Sequence, residues 1–232
     1  MDEDGIAQAA NYMPSFPIIG ALIGLATGVL VWGLEAFLPS LIVGMIGLGF
    51  ILLLTGVHHA DGLLDFGDAM MMLGSPEDKV RVMRDPQTGA GGLCLGLVVL
   101  SSTAFSMAAL NRSIVIQSLI ASEASSKFAI VLQAWAGNSA HEGLSTPFVQ
   151  AMHGRWRSVR LGVAFFVALA ISLAALQIIG LVPMLAGALV AAMMLLVSKR
   201  EFGGITGDVM GATNELVRLV SLLAILVIPN WR

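Results

Sequence analysis

The sequence predicts an all-α, polytopic integral membrane bundle of about seven transmembrane helices, with five to seven as the range. Three observations carry this. The 232-residue chain is 57% hydrophobic and only 12% charged, where soluble domains carry about 25% charged residues. Mean hydropathy is +0.88. Apolar runs close to the ~20 residues that cross a bilayer recur along the chain. The lipid bilayer is therefore the first expected partner. The net charge of −3 argues against nucleic acid.

The opening MDEDGIAQAANYM is acidic and lacks the basic start of a signal peptide, so insertion is expected to use the mature helices. Apolar segments follow at about 17–37, 40–56, 90–110, 114–136, 158–178, 181–197 and 213–229. Glu35 interrupts the first, and Glu123 and Lys127 stand inside the fourth. The last is short and carries Arg218 near its start; the plain alternative to a functional role for this segment is a helix cap and packing motif with Arg218 snorkelling to the surface. No long linker or fixed-period repeat divides the chain, so residues 1–232 read as a single membrane-embedded domain. The lone Cys94 excludes an intrachain disulfide and reads as a small buried hydrophobe. Trp32, Trp135, Trp156 and Trp231 fall mostly near span ends, where interfacial anchors belong.

Seven spans put alternate loops on alternate sides. Lys79, Arg81, Arg84, Arg155, Arg157, Lys199 and Arg200 share one side, with Arg160 at its edge; Arg112 and Arg232 have the other. The positive-inside rule makes the first side cytoplasmic. The expectation is a multi-pass cell-membrane protein with a cytoplasmic N-terminus. Its loops at about 57–89, 137–157 and 198–212 would be cytoplasmic and carry the active site.

The stretch HHADGLLDFGDAM holds that site's main candidates. Asp61, Asp65 and Asp68 stand four and three residues apart, on one face of a helix running through Gly62 and Gly67. Three like charges with no lysine or arginine among them call for a cation, and carboxylate oxygens suit Mg²⁺ better than Zn²⁺. The plain alternative is a solvated helix end. His58, three residues before Asp61, is a candidate for acid–base chemistry or phosphate contact. A structural role suits either His58 or His59 equally well.

Beyond it, SPEDKVRVMRDPQTGAGG reads as a short amphipathic helix capped by Ser75 and Asp78, then a glycine turn. Arg84 or that turn could contact phosphate, or the segment could be an ordinary loop. Glu123 and Lys127, four apart in mid-span, suit an internal ion pair, functional or structural. In GGITGDVMGATNELVR, Asp208 and Glu215 lie seven apart on one helix face, and four glycines permit close packing. His141 and Glu142, in NSAHEGLSTPFV, could belong to a substrate loop; no HExxH zinc pattern is present.

These blocks together resemble the cobalamin synthases, the adenosylcobinamide-GDP ribazoletransferases. TGVHHADGLLDFGDA is similar to that family's T-G-x-x-H-x-D-G-L-x-D-x-x-D block. VMRDPQTGAGG is similar to its M-x-D-x-x-x-G-x-x-G block, and GGITGDVMGATNEL to its G-G-x-T-G-D-x-x-G-A-x-x-E block. FPIIGALIG resembles its P-x-x-G-x-x-x-G opening. The resemblance covers roughly residues 16–220 in order. It departs in lacking an arginine–proline element before Pro14, in having Lys127 for the family's fourth-span arginine, and in the loop around His141.

The resemblance implies transfer of adenosylcobinamide-GDP onto α-ribazole or its 5′-phosphate, with release of GMP, late in cobalamin biosynthesis. It implies Mg²⁺ as cofactor, with Asp61, Asp65 and Asp68 as metal ligands. His58, Asp61 or Asp65 would take the hydroxyl proton. Arg84, Lys127, Asp208 and Glu215 would serve substrate, the last two with the metal as an alternative. Assembly as a homo-oligomer is left open. A CDP-alcohol phosphotransferase would need D-G-x-x-A-R, and no A-R follows Asp61-Gly62, where Asp65 and Phe66 occupy those last positions. A cation transporter would place acids on both faces and often show a repeat; here the acids fall mostly on one.

Overall fold

The computed structural model describes residues 3–143 and 145–228, so Trp231 and Arg232 lie outside the described residues. The described chain is helical throughout, and its one β-type contact is an isolated parallel bridge between Ser139 and Ile205. In chain order the helices are α1 (Glu3–Asn11), α2 (Phe16–Leu34), α3 (Ser40–Leu54), α4 (His58–Met71), α5 (Pro76–Met83) and α6 (Ala90–Ala109). Then come α7 (Val115–Ala136), α8 (Thr146–His153), α9 (Arg157–Leu176), α10 (Leu181–Phe202) and α11 (Gly207–Leu226).

Each of the seven apolar stretches becomes a helix. Five helical segments are long and apolar enough to cross a membrane, or six if the bent pair α3–α4 forms one span. One of the five, Arg157–Phe202, is 46 residues and would be roughly 70 Å long if straight, more than twice a bilayer core. It is two helices, α9 and α10, broken at Gln177, whose φ of 54° lies in the left-handed region. The expected five to seven therefore holds, with α3 too short to span alone.

Buried and exposed residues divide the bundle into a centre and a shell. In their most apolar windows, 78% of α7 and 72% of α11 are buried, against 33% of α2. The outer helices turn Leu22, Leu41, Phe166, Leu185 and Leu196 outward. A surface of that kind suits lipid rather than water. Cys94 lies on this exposed surface, between Leu93 and Leu97. The expected burial fails because, against lipid, an apolar residue is as well placed outside as inside.

Small residues set the spacing of the centre. A side-chain carbon on Gly20 would collide with the Glu123 backbone, on Gly24 with Leu119, and on Gly28 with Ile116, so α2 lies directly on α7. Close backbone approach through small residues is how helices pack when lipid removes the hydrophobic drive. The chain then turns sharply. Gly56 (φ 62°) and Val57 (φ 65°) reverse the backbone, and α4 leaves α3 at 97°. That turn lays α4 across the end of the bundle, against α11 and α6.

Three ties hold the polar loops together at that end. Lys79 pairs with Glu201, Ser139 bridges Ile205, and Arg84 reaches the 141–142 loop. Ser75 and Asp78 form the expected capping box of α5.

Candidate active site

The acidic site is assembled from two helix starts. Gly62 of α4 faces the backbone of Asp208, and Gly211 of α11 faces the backbone of His59. The two helices thus cross where neither has a side chain. Asp208 stands in the first turn of α11, where Thr206 caps the helix by accepting from Val209 N–H at 3.1 Å. The crossing brings Asp208 to the aspartate face of α4. Asp65 feels the charges of Asp61, Asp208 and Asp68, and Asp208 feels that of Asp61 and of His141. None of Asp61, Asp65 and Asp208 is ion-paired with a described residue. Asp61 is exposed, and Asp65 and Asp208 are half-buried.

Asp68 is placed otherwise. Its two carboxylate oxygens accept the N–H of Gly89 at 2.7 Å and of Gly92 at 2.8 Å. Those are the N-cap and third residues of α6, donors that no carbonyl of the helix can satisfy. A side-chain carbon on Gly92 would stand 2.7 Å from the same carboxylate. Asp68, expected as a third metal ligand, is committed here to capping α6. The carboxylates left without an ion pair on this side of the crossing are Asp61, Asp65 and Asp208, an acidic trio that is the candidate for the site. Among the described residues, no three His, Cys, Asp or Glu side chains are arranged to hold a metal ion as they stand. The donor chemistry nonetheless fits a hard cation: carboxylates from two helices, close enough to feel one another, with no ammonium or guanidinium between them.

Glu215 and Lys127 do not join that trio. Arg218, fully buried, donates to Glu123 of α7 and to Glu215 one turn back. Lys127 Nζ donates to Asn214 Oδ1 at 2.6 Å, and Asn214 Nδ2 to Glu215 at 3.3 Å. Gln133 donates to Thr213 at 2.7 Å. The expected Glu123–Lys127 pair is therefore replaced: Glu123 takes the planar fork of Arg218, and Lys127 an amide oxygen. Arg218 does not snorkel, because two carboxylates hold it inside. Glu215 is closed into this buried network, away from a substrate's approach. Lys127 lines a pocket of about 260 Å³ with Phe16, Ile19, Leu54, Thr55 and His59.

The two histidines divide as well. His58 is exposed at the start of α4. His59 lines the same pocket as Lys127, and its Nδ1 is buried with no hydrogen-bond partner among the described residues. The histidine of the T-G-x-x-H block falls on His59, which attention to His58 missed. Arg84, at the exposed end of α5, points its guanidinium into the His141–Glu142 loop.

The profile of the cobalamin-5-phosphate synthase family matches residues 1–226. This chain belongs to the cobalamin-5-phosphate synthase family. Its relatives include an adenosylcobinamide-GDP ribazoletransferase of Methanocella arvoryzae, 34% identical over 227 residues, covering 91% of this chain and 82% of the relative. The protein of that name from Shigella flexneri is 33% identical over 215 residues, covering 91% and 86%. No solved structure matches. The family's three blocks occupy the α4 carboxylate face, the turn into α6 and the start of α11, so its motif residues are the ones that meet at the helix crossing.

Proposed function

We propose that this protein is an adenosylcobinamide-GDP ribazoletransferase that joins the activated corrinoid to α-ribazole or its 5′-phosphate and releases GMP. The observation that carries the reading is the meeting of Asp61, Asp65 and Asp208 from two family blocks at one helix crossing. It is supported by family membership over nearly the whole chain and by relatives that bear this name. The corrinoid and the ribazole are then its small-molecule substrates.

A hydroxyl of the ribose attacks the phosphorus nearer the corrinoid. One P–O bond forms, the P–O bond to GMP breaks, and the hydroxyl proton passes to a base. Asp61 or Asp65 would serve as that base, on a helix face with no cationic partner among the described residues. Arg84, exposed at the rim and always charged, binds phosphate oxygens. Asp61, Asp65 and Asp208 would hold Mg²⁺, which when bound supplies charge neutralisation on the phosphates. The buried Glu123–Arg218–Glu215 pairing fixes the register of α11, and so the position of Asp208, from below. With its basic loops on the side of this site, the chain lies in the cell membrane with the site toward the cytoplasm.

The test is purified protein in detergent or lipid, supplied with adenosylcobinamide-GDP, α-ribazole and a divalent metal, with GMP measured. GMP release that needs both substrates is expected. Silence with every divalent metal would overturn the reading. Asp65→Asn is expected to lower turnover at least ~100-fold, in keeping with loss of a base or charge-stabilising group, while the protein still inserts. Near-normal GMP release from it would remove Asp65 from the site.

A further inference from the structure

The chemistry at the helix crossing leaves one pocket unused. It lies between α2, the turn from α3 into α4, and α7, and holds about 260 Å³. Five of its lining side chains are apolar, among them Ile19 and Leu54, both half-exposed on the outer surface of the bundle. Its polar lining is Thr55, His59 and Lys127. Thr55 Oγ1 is already committed to its own helix, 2.9 Å from the Ile51 carbonyl oxygen. The other two have bonds left to make. An ammonium carries three donors, and Asn214 is the one acceptor that the described residues give Lys127. His59 has its buried Nδ1 without a partner among them. Buried polar groups are satisfied by protein, water or a ligand.

The charges around Lys127 narrow the class of ligand. Asn214 joins Lys127 to Glu215, and Arg218 pairs with both Glu215 and Glu123. Two carboxylates against one guanidinium and one ammonium leave this cluster neutral. A phosphate brought into the pocket would add an uncompensated charge among apolar walls, which is costly. A lipid acyl chain would suit the walls and leave the Lys127 donors unmet. A guanine edge, with several donors and acceptors, would face mostly hydrocarbon. An uncharged planar ring with a single acceptor nitrogen meets both demands, its faces against the walls and its nitrogen toward the ammonium. The volume agrees, because it falls below the roughly 300 Å³ at which sites for whole drug-sized ligands begin. It has room for one bicyclic ring and not for a corrin.

We propose that this pocket seats the benzimidazole base of α-ribazole, with Lys127 donating to the ring nitrogen that carries no sugar. The assignment rests on the ribazoletransferase reading. The pocket adjoins the crossing through α4: His59 stands two residues before Asp61, and its backbone packs on Gly211 of α11, three residues beyond Asp208. A base held there keeps its ribose next to the helix crossing, where the hydroxyl reacts. The pocket then determines specificity, admitting uncharged aromatic bases that offer one acceptor and rejecting charged or richly polar ones.

The test compares two small probes, benzimidazole and indole, for saturable binding to the full chain in lipid nanodiscs. Indole has the same fused rings with a C–H in place of the acceptor nitrogen. Ile19→Trp and Leu54→Trp fill the pocket from its lipid-facing edge and leave the buried charges alone. Benzimidazole is expected to bind at least ~10-fold more tightly than indole, the loss that a missing hydrogen bond to a charged donor brings. Either tryptophan variant that melts at the wild-type temperature is expected to abolish that binding. The same variant should raise KM for α-ribazole at least ~10-fold in GMP release, with KM for adenosylcobinamide-GDP within about twofold. Three results would each overturn the proposal: no saturable benzimidazole binding up to its solubility limit, indole bound as tightly, or benzimidazole binding that survives both variants. Phospholipid that co-purifies with wild type and is lost from the variants, with no benzimidazole bound, would show a lipid site instead. The probe comparison in wild type stands whether or not the variants fold. A wild type that binds benzimidazole in this pocket and releases no GMP would overturn the ribazoletransferase reading and keep the aromatic site. A wild type that releases GMP and binds no benzimidazole would overturn the pocket assignment alone.

Discussion

Asp65 and Asp68 are three residues apart on one helix and have different work. Asp65 has like charges around it and no ion-pair partner among the described residues. Asp68 has two backbone N–H donors of α6 and the favourable end of that helix's dipole. Asp68→Asn keeps one acceptor oxygen and loses the charge. It is expected to cost about 1 kcal/mol of stability, as a weakened cap does, and to retain measurable turnover. Thermal unfolding in detergent set beside GMP release checks this. Loss of activity as complete as in Asp65→Asn, with no change in melting, would restore Asp68 to the metal site. The buried guanidinium makes a second residue-scale case. Arg218→Met leaves Glu123 and Glu215 facing each other, and removing one partner from a buried ionic group costs about 3–5 kcal/mol. The expected result is a protein that expresses poorly and unfolds early. A wild-type melting temperature would show that the carboxylates share a proton or another partner.

At the scale of elements, the site depends on helices that approach without side chains between them. The stripe Gly20, Gly24 and Gly28 seats α2 on α7, and Gly62 with Gly211 seats α4 on α11. Gly24→Val would drive a branched side chain into the backbone at Leu119 and Ile120. Overpacking of this kind costs about 1–3 kcal/mol or more. The expected outcome is a lower melting temperature, with the activity of the surviving folded fraction little changed, since α2 carries none of the acidic trio. A selective loss of activity at full stability would tie α2 to substrate. The turn at Gly56 and Val57 is the other decisive element. A β-branched residue at positive φ is strained, and the strain is kept because α4 must leave the membrane axis to present its carboxylates across the end of the bundle.

At the scale of the whole molecule, the bundle has a polar end and an apolar waist. The loops at 57–89, 137–157 and 198–212 were legible as one group from alternation of spans and from basic residues, and they are tied together at one end by Lys79–Glu201, Arg84–His141 and Ser139–Ile205. The orientation has its own test. In a Cys94→Ala background, a cysteine at Arg81 is expected to react with an impermeant maleimide only after the cytoplasmic side is opened, and one at Phe37 from outside. The opposite pattern would invert the topology.

Hydropathy by itself determined the class of protein and the seven apolar stretches, because a bilayer demands runs of fixed length whatever their neighbours do. The local blocks likewise marked Asp61, Asp65, Arg84 and Asp208 as candidates for chemistry, because charge at the end of an apolar run is conspicuous in one dimension. Azimuth and pairing were decided only in three dimensions. Lipid is as apolar as a helix interface, so periodicity does not separate the outward Cys94 from the inward Leu63. A buried charge, for its part, takes whichever partner the packing offers. For Glu123 that is Arg218, 95 residues away, rather than Lys127 on its own helix. The same long-range packing gave Asp68 to α6 and Asp208 to the carboxylate face.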